Sequence, residues 1–261
     1  MDVIIVADRR SGAAIIADAI AALINRQPAA ALGLATGSSP EPIYEEMTRR
    51  HEAGVLDLAG VRAFLLDEYV GLPPSHPASY RSVIRRQVVD RLGLDPGQVT
   101  GPDGNAADVL EACRDYEAAI QAAGGIDLQL LGIGSDGHIG FNEPSSSLGS
   151  RTRLKTLTAQ TRADNARFFD GNAEAVPQHV LTQGLGTIVE ARHLVLVAWG
   201  AGKAAALARC VEGPVTAMVP ASVLQLHPHV SVVVDDEAAA GLSLADYYRS
   251  VFATKPAWQG L

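Results

Sequence analysis

Cysteine is scarce in this chain of 261 residues: only Cys113 and Cys210 occur, with no CxxC spacing. That excludes a disulfide framework and points to a reducing compartment. Long apolar runs are missing too. No window approaches the ~18 uninterrupted apolar residues of a membrane span. The N-terminus, MDVIIVADRR, has an acid at position 2 and a short apolar run ended by Asp8. It does not read as a signal peptide, so the expectation is a cytoplasmic protein. Basic charge is in deficit, with 21 Lys plus Arg against 29 Asp plus Glu and a net charge of −8. This argues against a general nucleic-acid binder. HExxH, Cys/His clusters with metal spacing and a GxSxG elbow are all absent, and His227-Pro228-His229 reads as a turn. Nothing therefore requires a metal or an organic cofactor. Wholesale disorder is excluded by 48% hydrophobic against 19% charged residues.

What is present is an alternation of short apolar runs and longer amphipathic stretches. Strands are expected at Val3–Ala7, Ala30–Ala35, Val61–Leu66, Leu128–Ile133, Leu194–Trp199 and Val230–Val234. Helices are expected at Arg10–Asn25, Pro40–Ala53, Pro77–Arg91, Ala106–Ala123 and Ala201–Cys210. Strands that read as continuous apolar runs are buried on both faces. The expectation is one α/β domain over 1–261, with a mostly parallel sheet covered on both sides. Asn142–Gln183 is the least regular stretch, and long connections of this kind often form lids.

Ligands of such sheets sit at the carboxyl ends of the strands. Four ends carry unusual residues. Thr36-Gly37-Ser38-Ser39-Pro40 opens a helix, where free N–H groups and the helix dipole favour a phosphate. It reads equally well as an ordinary Ser/Thr cap, and it is no Walker motif, since no Lys follows the glycine. Asp67-Glu68 ends a buried strand. Neighbouring strand residues point to opposite faces, so the two acids are expected to take different roles. One is well placed as a general base, and a solvated acidic pair is the plainer alternative. Gly132-Ile133-Gly134-Ser135-Asp136-Gly137-His138 fits GxGxxG, but the residues after it suit neither a long helix nor a ribose-binding acid. The glycines read instead as bringing Asp136, His138 and Glu143 close to a ligand. A His flanked by carboxylates suits catalysis, and a structural loop His is the alternative. Lys203 stands near a helix start after Gly200-Ala201-Gly202, an unfavourable place that suits pairing with a phosphate. Taken alone, it reads as a surface lysine.

Together these segments resemble the glucosamine-6-phosphate deaminase family. The stretches that carry the likeness are LGLATGSSP (32–40), LLDEYVGLPPSHPASY (65–80), LGIGSDGHIGFNEPSSSLGSRTRLKTLT (131–158), TRADNARFFD (161–170), WGAGKAAALA (199–208) and LQLHPHVSVVVDDEA (224–238). The resemblance implies a Rossmann-like three-layer sandwich. It implies conversion of glucosamine-6-phosphate and water to fructose-6-phosphate and ammonia in amino-sugar catabolism, with no redox cofactor.

By residue, it implies that Asp67 takes the C2 proton and that His138 assists ring opening. Asp136 and Glu143 would position and charge-couple that histidine. Thr36, Gly37, Ser38, Ser39, Arg167 and Lys203 would hold the phosphate. It further implies a mobile lid over about 158–183 and a homo-oligomer, since the family's better-studied allosteric members are hexamers. Those members are activated by N-acetylglucosamine-6-phosphate, and the matching activator residues are Ser146, Arg153, Lys155 and Thr156. The C-terminal aromatic of that site does not align: Tyr247 and Tyr248 are near, and Arg249 takes the gapless position. The rival on the same scaffold is 6-phosphogluconolactonase, expected to carry Asp-Glu-Arg where this chain has Asp67-Glu68-Tyr69. A Leu-Phe-Pro run is likewise expected in place of Phe141 to Pro144. A catalytically silent sugar-phosphate sensor is the rival of another class, disfavoured because Asp67, Asp136, His138 and Glu143 are all intact.

Overall fold

The structure, a computed structural model, describes residues 1–256 and 259–261. Its strands are β1 (Asp2–Val6), β2 (Ala31–Leu34), β3 (Arg62–Leu65), β4 (Asp67–Tyr69), β5 (Val99–Thr100), β6 (Leu128–Gly132), β7 (Arg153–Thr156), β8 (His179–Thr182), β9 (His193–Ala198) and β10 (Val230–Asp235). Seven of them form one sheet in the order β1-β10-β9-β6-β2-β3-β5. Every neighbouring pair in it is parallel. All residues of β9 and nearly all of β10 are buried, as sheets covered on both faces require. Helices on both sides supply the cover.

Helix α1 (Arg9–Arg26) shows how they do so. Asp8 caps it by accepting the Ser11 N–H at 2.8 Å. It buries Gly12, Ala13, Ile16, Ala17, Ile20 and Ile24, one face at helical spacing. Helix α2 (Glu41–Glu52) buries Ile43, Tyr44 and Met47 in the same way. Helix α3 (Tyr80–Ile84) starts on a Ser79 cap and continues through a π-helical segment, Arg85–Val89. Among the described residues, no helix is long and apolar enough to cross a membrane.

The expected strands appear within a residue or so of their expected bounds. The second sheet was not expected. Strands β4, β8 and β7 pair antiparallel in that order, so the stretch expected to be irregular contains two strands. β4 has three residues and follows β3 after Leu66 alone, too short to show a period of its own. β7 alternates, but none of its residues is fully buried, so it lacks the apolar run of a core strand. The helix Ala245–Ala253 was missed for a similar reason, since none of its residues is fully buried.

The hinge between the sheets positions the chemistry. Leu66 still donates to Leu34 O at 3.3 Å in the central sheet, while its own carbonyl accepts the Gln183 N–H at 2.8 Å. Asp67 is thus the first residue of the second sheet and stands over the carboxyl end of the first.

Candidate active site

The loop from Thr36 to Ser39 leaves β2 with Gly37 at φ +92°, a left-handed conformation that glycine adopts at little cost. Helix α2 begins after it with Pro40 at the cap and no side-chain cap bond. The hydroxyls of Ser38 and Ser39 therefore do not serve as helix caps. Among the described residues, no protein acceptor takes the N–H groups of Gly37, Ser38 and Ser39. A row of unspent donors at a helix start suits an anion.

Asp67 is 7% exposed and faces the cleft beside this loop. Burial, and then the charge of Glu68, push its carboxyl well above the ordinary carboxylate range. Glu68 points the other way. It accepts the N–H groups of Tyr69 at 2.8 Å, Tyr80 at 3.1 Å and Arg81 at 3.0 Å, and so caps α3. The alternation of a strand thus gives the two acids separate duties.

Beyond β6 the glycines make room for a ring. A Cβ at Gly134 would lie 2.2 Å from His138 Cε1. Gly134 also donates to His138 O at 2.9 Å, and Gly137 turns at φ +94°. His138 Nδ1 lies 2.7 Å from Asp136 Oδ1, at ion-pair distance though off the line of a hydrogen bond. The same oxygen accepts the His138 backbone N–H at 3.1 Å. Partial burial opposes ionisation of Asp136, but the His138 ring outweighs it and holds the carboxyl below its usual range. Glu143 does not pair with His138. Its Oε1 accepts from the Thr158 hydroxyl at 3.0 Å, the Thr158 N–H at 3.3 Å and the Thr161 hydroxyl. The expected charge coupling is therefore not direct, because the carboxylate is already engaged by the stretch expected to form the lid.

Lys203 reaches back to donate to Ile133 O at 2.8 Å. Burial, and then the charge of Arg167, hold its ammonium below the ordinary value. Two cations on one wall favour an anion between them. Asp67, His138, Arg167, Lys203 and Thr36 to Ser39 all line a single cleft of about 730 Å³.

The sequence pattern of the family described as "Glucosamine-6-phosphate isomerases/6-phosphogluconolactonase" matches residues 9–233. The chain belongs to this family. It is 62% identical to a glucosamine-6-phosphate deaminase of Streptomyces avermitilis and 60% identical to that of Mycolicibacterium smegmatis. Both alignments run over 261 residues, the whole of each chain. The solved structure of a monomeric glucosamine-6-phosphate deaminase superposes with a TM-score of 0.90 at 39% identity, over 92% of this chain and 100% of that one. A 6-phosphogluconolactonase from Trypanosoma cruzi reaches 0.74 at 19% identity, over 93% and 97%, and shares the fold.

This member of the isomerase/lactonase family also has cleft residues to which its sequence assigned no role in the site. Tyr69, Arg86, Asp164 and Asn165 line the cleft. Tyr69 OH accepts from Asn165 Nδ2 at 3.2 Å, and its ring meets Phe169 edge-on at 5.7 Å. The 158–183 stretch is therefore seated on Tyr69. The period-two pattern that separates Asp67 from Glu68 also returns Tyr69 to the side of Asp67, and that signal was available.

The four residues matched to the activator site lie outside the cleft. Ser146 is buried with its hydroxyl unpartnered. Arg153 is half-buried, and burial lowers its ordinary value. It donates to Asn142 Oδ1 at 2.9 Å and meets no carboxylate among the described residues. Thr156 Oγ1 lies 3.2 Å from His179 Nδ1. Lys155 is half-buried on the same strand. Arg249 pairs with Asp236 instead of joining them.

Proposed function

We infer that this chain is a glucosamine-6-phosphate deaminase, converting glucosamine-6-phosphate and water to fructose-6-phosphate and ammonia. The observation that carries the reading is one cleft holding a buried carboxylate, a histidine and a set of unspent anion donors. Full-length identity of about 60% to named deaminases supports it.

The phosphate is held by the Thr36 to Ser39 loop with Arg167 and Lys203, which fixes the orientation of the reacting end. His138 moves the proton from the anomeric hydroxyl to the ring oxygen, a step suited to an imidazole near neutral pH. Asp136 sets the orientation of that ring. Asp67 then takes the proton from C2 of the opened sugar. Its raised pKa makes it a stronger base than a solvated carboxylate. The resulting enolamine is protonated at C1, leaving an imine at C2. Water hydrolyses the imine to the ketone and releases ammonia. Residues 158–178 close over the substrate as a lid, with Glu143 anchoring its first turn through Thr158 and Thr161. The end of the expected 158–183 stretch is excluded, because β8 is buried between β4 and β7.

The lactonase reading is weaker, because lactone hydrolysis needs no carbon base and Tyr69 follows Asp67-Glu68 where that reading expects an arginine. The sensor reading does not account for the intact Asp67. A second, regulatory reading is favoured by Arg153 and Ser146. A half-buried guanidinium that meets no carboxylate among the described residues, and an unpartnered buried hydroxyl at Ser146, suit an anionic activator, N-acetylglucosamine-6-phosphate.

The test is ammonia release from glucosamine-6-phosphate by the parent and by Asp67→Asn. The parent releases ammonia, and the variant loses at least the ~10²-fold typical of general-base removal. No release by the parent overturns the function. Unimpaired turnover by the variant overturns the base assignment.

A further inference from the structure

We propose that Trp199 is a positioning residue of the phosphate site, locking the Thr36 to Ser39 loop to the turn that carries Lys203. This rests on the phosphate reading of those residues under the proposed function. The two elements follow β2 and β9, which are not neighbours, since β6 runs between them. No direct strand pairing therefore links the loops that follow them. The indole does so: Trp199 Nε1 donates to Ser39 O at 2.8 Å. Among the described residues, it is the one hydrogen bond from outside that reaches any atom of residues 36–39.

Three further features make the bond a rigid strut. Ser39 sits over Gly132 at the end of β6, where an added Cβ would lie 3.5 Å from the Ser39 side chain. That is ordinary packing distance, so the serine lies directly on the end of β6. The far edge of the indole rests on α1, where a Cβ at Gly12 would stand 2.6 Å from Trp199 Cη2. Glycine inside a helix costs stability, and here it admits the ring. The backbone after Trp199 is also pinned, because Gly200 N–H donates to both oxygens of Asp235, at 3.0 and 2.9 Å. The indole thus stands between a helix on one side and the phosphate loop on the other, with Lys203 on the adjoining turn. Turning the Ser39 carbonyl onto the indole also keeps that oxygen away from an incoming phosphate.

The bond is the same before and during the chemical step, so its loss removes uniform binding and raises KM without lowering kcat. Trp199→Phe removes the donor together with the outer ring that meets Gly12. Gly12→Ala keeps the donor, favours the helix and displaces the ring. Both variants are expected to raise KM for glucosamine-6-phosphate and the inhibition constant of inorganic phosphate together. The expected rise is about three- to tenfold, the weight of one hydrogen bond, with kcat unchanged. A merely structural role would lower thermal stability or kcat and leave both constants in place, and that result overturns the inference. Lys203→Ala separates the two levels. If it too leaves phosphate inhibition unchanged, the phosphate reading fails and takes this one with it. If Lys203→Ala weakens phosphate binding and neither Trp199→Phe nor Gly12→Ala does, only the role of Trp199 is overturned.

Discussion

Gly134 and His138 compete for one volume: a Cβ on the glycine would stand 2.2 Å from Cε1 of the histidine ring. Contacts that close do not occur between real side chains, so the imidazole holds its place only because position 134 has none. The glycine pattern that mimics a dinucleotide fingerprint therefore serves a different purpose here. It seats the His138 imidazole, and the unspent N–H donors of residues 37–39 belong to a different strand end.

Gly134→Ala is accordingly expected to displace the His138 ring and lower kcat by about 10²-fold, the scale of a misplacement near 1 Å. Inhibition by inorganic phosphate should stay at the parental level, because the Thr36 to Ser39 loop and Lys203 are untouched. Steady-state ammonia release with and without phosphate checks both. An unchanged kcat would show that the ring finds its working position without the glycine.

Asp67→Asn should cost activity and improve stability at neutral pH. The folded pKa of Asp67 is raised, by burial and then by Glu68. The folded state therefore binds the proton more tightly than the unfolded chain. Stability from this group is fully present below its unfolded value, about 3.9, and is lost as pH rises through the folded pKa. Above that window the parent carries a buried charge that asparagine does not. Thermal unfolding of both proteins from acidic to neutral pH should show the variant's advantage growing as pH rises. A variant less stable than the parent at neutral pH would refute the assignment of a buried, reluctant carboxylate.

Arg153→Ala should abolish any lowering of the half-saturating substrate concentration by N-acetylglucosamine-6-phosphate. Lost burial of one guanidinium cannot mimic that, because the readout is a difference between two curves of the same variant. Substrate saturation curves with and without the compound give the answer. A parental curve that is hyperbolic and indifferent to the compound would remove the regulatory reading.

Much of the molecule was legible in its sequence. Apolar runs such as Val195 to Ala198 and Val230 to Val234 declare buried parallel strands, because a strand covered on both faces has no polar side to show. The placing of Asp67, His138 and Lys203 directly after such runs marked the strand ends as the site. The second sheet was not legible, since β4 is three residues long and β7 pairs at a half-buried surface. Neither carries the continuous apolar run by which buried strands are recognised.

The sequence by itself determined the α/β class, the polar clusters at the strand ends and the separation of Asp67 from Glu68, because these follow from periods of a few residues. Only the tertiary structure decided that Glu143 holds Thr158 and Thr161 instead of His138. Only the tertiary structure, likewise, brought Trp199 to Ser39 and shaped Gly134 around the His138 ring. Those relations join chain segments through strand order and burial, and local propensity has no knowledge of either.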